Sequence, residues 1–118
     1  EILMMKTDKP RFGKLSSAGA DVAPGMERIV PLVSGAGTHI EGIISRGAES
    51  PAGFWYDQQT DEFVLLVAGS AALEFADGSM RDLNPGDWAF LPAHCRHRVN
   101  WTDPASETLW LAVHLPPG

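Results

Sequence analysis

The chain has 118 residues, 44% of them apolar and 20% charged, with a formal net charge of −6. That is enough for one domain around one core, and it is neither a disordered nor a membrane-spanning composition. The acidic balance argues against nucleic acid and anionic membranes as partners, and a lone cysteine, Cys95, excludes an internal disulfide.

Residues 1–24 carry scattered charge, two prolines and little periodicity. They read as an arm holding one short strand or turn, packed across a sheet or a partner subunit. The opening apolar run, Ile2 to Met5, is too short for a secretory signal and lacks a small-residue cleavage pattern. Cytoplasm is therefore the expected compartment.

Residues 25–118 read as one β domain. The first strand covers Met26 to Val33, with Pro31 placing it at an edge. Thr38 to Arg46 follows, with His39, Glu41, Ile43 and Ser45 on one face and Ile40, Gly42 and Ile44 on the other. After a Gly/Pro loop, Phe54 to Gln58 is aromatic and strand-like. Glu62 to Val67 is a nearly continuous apolar strand. Ala71 to Phe75 and Met80 to Leu83 flank Asp77-Gly78, a strong hairpin signal. Asn84-Pro85-Gly86-Asp87 turns, Trp88 to Leu91 is a short strand, and Pro92 ends it. His97, Val99 and Trp101 share one face of the next strand. In the last, Thr108 to Leu115, one face is Leu109, Leu111, Val113 and Leu115, and the other holds Trp110, Ala112 and His114. Eight to ten short strands and no convincing helix predict an all-β sandwich or barrel.

Glu62 and Gly69 are separated by six residues, Gly86 and Pro92 by five, and His97 follows Pro92. In these spacings residues 38–115 resemble the cupins. That family's first motif runs Gly, five residues, His-x-His, three or four residues, Glu, six residues, Gly. Its second runs Gly, five residues, Pro-x-Gly, two residues, His, three residues, Asn. The likeness is to small single-domain bacterial cupins. It implies a double-stranded β-helix (a jelly-roll barrel) with an N-terminal arm, a homodimer, and side chains converging on one divalent metal, Fe, Mn, Ni or Zn.

The departures are specific. With a gap of four before Glu62, the motif's two histidine positions hold Trp55 and Asp57; with a gap of three they hold Tyr56 and Gln58. His94 stands at the second motif's glycine and Trp101 at its asparagine. The implied metal set is then His97 and Glu62, aided by His94 and Asp57.

Residue by residue, Glu62 alternates with Val64 and Leu66, so it is a carboxylate on an apolar face, a costly placement unless paired or metal-bound. His97 points inward with Val99. His94 and Tyr56 are the candidates for moving protons. Trp55, Gln59, Phe90, Trp101 and His114 are expected to line the pocket, while His39 reads as structural. The expected function is to bind or transform a small oxygenated molecule at the metal. The alternative is a metal-free cupin that binds or senses a sugar or organic acid.

Overall fold

The computed structural model describes residues 9–15 and 22–118. Eight strands make it up: β1 Met26–Gly35, β2 Thr38–Arg46, β3 Asp61–Ala68, β4 Ala71–Phe75, β5 Met80–Leu83, β6 Trp88–Leu91, β7 His97–Thr102 and β8 Thr108–Leu115. No helix occurs among the described residues. The strands form a five-stranded sheet, β1-β2-β8-β3-β6, facing a three-stranded sheet, β5-β4-β7. All named pairings are antiparallel. This is the all-β architecture that the strand and turn pattern predicts, arranged as the jelly roll that the resemblance implies. The expected arm lies partly outside the described residues.

Period-two alternation puts Val64 and Leu66 of β3, Leu73 of β4, Leu83 of β5, Leu91 of β6 and Trp110 of β8 into one core between the sheets. Each is at most 5% exposed. Burying side chains of this size contributes about 1.5–3 kcal/mol each, which sets the two sheets face to face. The turns follow their residues. Gly69 takes φ +89° between β3 and β4. The Asn84–Asp87 turn closes on itself, with Asp87 Oδ2 accepting from Asn84 N at 2.8 Å.

Three expectations give way to local geometry. Phe54–Gln58 forms no strand; only Tyr56 pairs, in an isolated bridge with His97. A bulge in β7 places Val99 opposite Leu73 but Trp101 opposite Ala72. The extra residue breaks the alternation, so Thr102 turns inward at 2% exposed and Trp101 is 42% exposed. In β6 the inward positions are Ala89 and Leu91, which leaves Phe90 outward and exposed.

Candidate functional site

One end of the space between the sheets stays open as a cavity of about 220 Å³. Glu62 enters it from β3. Its inward neighbours Val64 and Leu66 are core, so its carboxylate is carried into an apolar wall and the residue is 8% exposed. His97, the first residue of β7, enters from the opposite sheet at 5% exposed. The Tyr56 bridge fixes it: Tyr56 N donates to His97 O at 2.7 Å and His97 N to Tyr56 O at 3.2 Å. The Tyr56 ring then stacks on the imidazole, centroids 5.4 Å apart and planes 24° apart.

His97 Nδ1 lies 2.8 Å from the Cys95 carbonyl, which can only accept. Nδ1 therefore carries the proton, and Nε2 presents its lone pair to the cavity. It stands 3.8 Å from Glu62 Oε1, just beyond hydrogen-bond reach. Burial pushes the Glu62 carboxyl above its ordinary value; His114 and His97 oppose this, and Glu41 adds to it. Tyr56 is also pushed up, first by burial and then by Glu27, Glu62 and Glu41. Its phenol is accordingly held as a donor.

A second carboxylate–imidazole group stands beside the first. Glu41 Oε1 lies 2.8 Å from His39 Nε2, and Oε2 lies 3.4 Å from His114 Nε2. The register makes the group: His39 pairs with His114 across β2–β8, and His114 with Glu62 across β8–β3. At the mouth Ser45 Oγ donates to Glu27 at 3.2 Å and accepts from Trp110 Nε1 at 3.2 Å. Glu27 is pushed up too, chiefly by burial, with Ser45 opposing and Glu41 adding. Among the described residues the lining thus has Glu27, Glu41 and Glu62 and neither Lys nor Arg.

The four expected metal ligands are divided into two pairs. Asp57 Oδ1 and His94 Nδ1 meet at 2.7 Å, but their side chains are 50% and 65% exposed. Glu62 and His97 meet inside. Among the described residues, no three His, Cys, Asp or Glu are grouped to hold a metal ion. The donor set therefore does not fit the metal that the resemblance implies. Its cause is visible in the backbone. Tyr56 and Gln58 point into the cavity, so the gap-of-three spacing is the one realised, and Asp57 points out. His94 adopts φ +65°, the left-handed conformation of the glycine it replaces. Its backbone N is tied to Gln58 O at 2.8 Å.

Of the five expected pocket residues, His114 lines the cavity. Trp55 instead carries the Arg96 guanidinium over its ring at 5.7 Å. Gln59, Phe90 and Trp101 are exposed. Glu41 and Glu27 line the site without having been singled out, and Gln58, a position of the gap-of-three alignment, lines it as well. Glu41 had a signal, since its alternation with His39 and Ile43 on one face of β2 is plain in the sequence.

The chain is 49% identical to a protein of Ralstonia eutropha JMP134 named as a candidate mannose-6-phosphate isomerase, over 91% of this chain and 99% of that one, with a TM-score of 0.83. A cupin superfamily protein of Desulfitobacterium hafniense DCB-2 superposes with a TM-score of 0.70 at 20% identity, over 93% of each chain. An RmlC-like cupin of Shewanella frigidimarina NCIMB 400 gives 0.69 at 21% identity, over 93% and 92% of the two chains. No family model and no curated protein matches the chain.

Proposed function

The chain belongs to the cupin superfamily, and from that premise we propose that its barrel binds a small, neutral, hydroxyl-rich molecule through Glu62 and His97 without a resident metal. One observation carries this: a buried carboxylate and a buried imidazole lone pair face each other across 3.8 Å, too far to satisfy one another. Two hydroxyls of one bound ligand would satisfy both, one donating to the carboxylate and one to the imidazole lone pair. The cavity, about 220 Å³, lies below the roughly 300–1,000 Å³ of drug-sized ligand sites, which favours a ligand of monosaccharide size or less.

The residues divide the work. Tyr56 donates from its phenol. Glu41, held by two imidazoles, accepts. The flat faces of Tyr56 and Trp110 suit the apolar side of a sugar ring. Glu62 and His97 can each also take a proton from a bound ligand and return it, the competence that isomerisation or epimerisation requires.

The name of the Ralstonia relative supports the sugar and not, for this chain, the phosphate. A phosphate dianion would enter beside Glu27, Glu41 and Glu62 with no Lys or Arg among the described lining residues to meet it. Such like-charge contact costs several kcal/mol. A metal held jointly by His97, Glu62, His94 and Asp57 is disfavoured by their separation into two pairs.

The test is a thermal-shift panel of unphosphorylated aldoses, their phosphates and hydroxy acids on chelator-treated protein. Stabilisation by neutral sugars supports the proposal. Stabilisation by phosphates alone, or by any ligand only after a divalent metal is restored, refutes it.

A further inference from the structure

The chain crosses from one sheet to the other at the Asn84–Asp87 turn, which joins β5 to β6. Both strands end their sheets. The seam between them opens as a second cleft, of about 650 Å³. Leu73 and Leu91 line both this cleft and the first cavity, and so form the wall between them. With Phe75 and Leu83 they give the cleft an apolar floor.

A cation stands over that floor. In the β4–β5 register Arg81 lies opposite Leu73, and Leu83 opposite Ala71. Ala71, Leu73 and Leu83 all face the core, so alternation turns Arg81 toward the space between the sheets as well. Arg81 lines the cleft and stays exposed to solvent. Among the described residues its guanidinium has neither an ion pair nor a hydrogen bond. Arg98, by contrast, is tied to Glu74 at 2.9 Å, and Arg96 lies over the Trp55 ring. Two carboxylates also border the cleft, and neither neutralises Arg81. Asp82 follows Arg81 in the strand and so projects from the other face of β5. Asp87 Oδ2 is taken by Asn84 N at 2.8 Å.

We propose that this cleft is a second ligand site, for a small monocarboxylate with an aliphatic or aryl body. The Arg81 fork would take the carboxylate through two parallel hydrogen bonds, while the apolar body lies along Phe75 and the leucines. The volume falls within the roughly 300–1,000 Å³ of small-molecule sites. Charge decides the class. One guanidinium balances one negative charge, a neutral ligand would leave it unpaired, and an ammonium would be repelled.

Cys95 is the chain's one cysteine and lines the cleft, so its alkylation rate reports occupancy. Iodoacetamide labelling of the full chain is timed with octanoate, its neutral isostere octanamide, or octylamine present, and affinities are taken by titration calorimetry. The expected result is that octanoate binds and slows Cys95 labelling by about fivefold or more, that octanamide binds about fivefold more weakly, and that octylamine gives no protection. Arg81→Gln is expected to weaken octanoate by the same roughly fivefold and to leave octanamide unchanged. Its position is exposed, and an unchanged melting temperature confirms folding. Glu62→Gln is expected to leave octanoate binding unchanged, which keeps this test separate from the sugar reading of the first cavity. No binding of octanoate overturns the proposal. So does protection of Cys95 that is equal in Arg81→Gln, protection by octylamine, or octanoate binding lost in Glu62→Gln, which would place the acid in the first cavity.

Discussion

His97 Nε2 stands 3.8 Å from Glu62 Oε1 while the other ring nitrogen is committed to the Cys95 carbonyl at 2.8 Å. The imidazole is thereby fixed in both tautomer and direction, and its lone pair and the Glu62 carboxylate share a gap that neither closes.

The first concerns pH. The Glu62 carboxyl is held above 4.5, mainly by burial. The folded state therefore keeps this proton to higher pH than the unfolded chain does. Its stabilising contribution is complete below the unfolded value and is lost as pH rises through the raised folded value. Glu27 shifts in the same direction. Denaturant unfolding of Glu62→Gln from acid to neutral pH is expected to show a flatter decline than the wild type. Equal slopes would show that Glu62 titrates alike in both states.

The second concerns the surface pair. Asp57 and His94 are mostly exposed, where an ion pair is worth about 0–1 kcal/mol. His94 also holds φ +65°, which costs a non-glycine residue of order 1 kcal/mol or more. His94→Gly is therefore expected to be at least as stable as the wild type in thermal melts, and Asp57→Ala to lose less than about 1 kcal/mol. Neither should change ligand affinity. A large loss of binding in either would return these residues to the site.

The third concerns Gly69. A Cβ there would lie 2.5 Å from Thr108 Oγ1 and 2.6 Å from Thr108 Cα, at φ +89°. Thr108 is fully buried and cannot yield. Gly69→Ala is expected to cost about 2–4 kcal/mol in chemical denaturation, in the upper range for single substitutions. A loss below about 0.5 kcal/mol, as for an ordinary surface change, would mean that the β3–β4 turn relaxes freely.

The fourth concerns the second carboxylate. Glu41 is shared by His39 and His114, so Glu41→Gln leaves the shape but removes the acceptor charge between them. If Glu41 helps to exclude anions, the variant is expected to weaken discrimination against phosphorylated sugars in competition binding. Unchanged discrimination would assign that role to Glu27 and Glu62 alone.

These residues also show how far sequence patterns reach. Strand identity was legible because alternation and turn residues are local: Ala71/Leu73/Phe75, Asp77-Gly78 and the Glu62 strand all stand where the periods put them. Glu62 and His97 were legible for the same reason. Trp101 was not, because one extra residue in β7 reverses every side chain beyond it, and nothing in His97-Arg-Val-Asn-Trp101 marks the bulge. Asp57 and His94 were misplaced together. Both lie outside regular strands, where direction depends on the Tyr56 bridge and on the tie from His94 N to Gln58 O. The His39–Glu41–His114 group depends on β2 lying beside β8, a pairing between distant segments that single-strand periodicity does not contain.

The most direct test of the central claim is titration calorimetry on chelator-treated protein, comparing unphosphorylated aldohexoses with their 6-phosphates, for wild type and Glu62→Gln. The account predicts that a neutral sugar binds the metal-free wild type, that its 6-phosphate does not, and that Glu62→Gln weakens binding by about tenfold or more, the value of a hydrogen bond to a charged group. Binding that requires a restored divalent metal, or that prefers the phosphate, would contradict it.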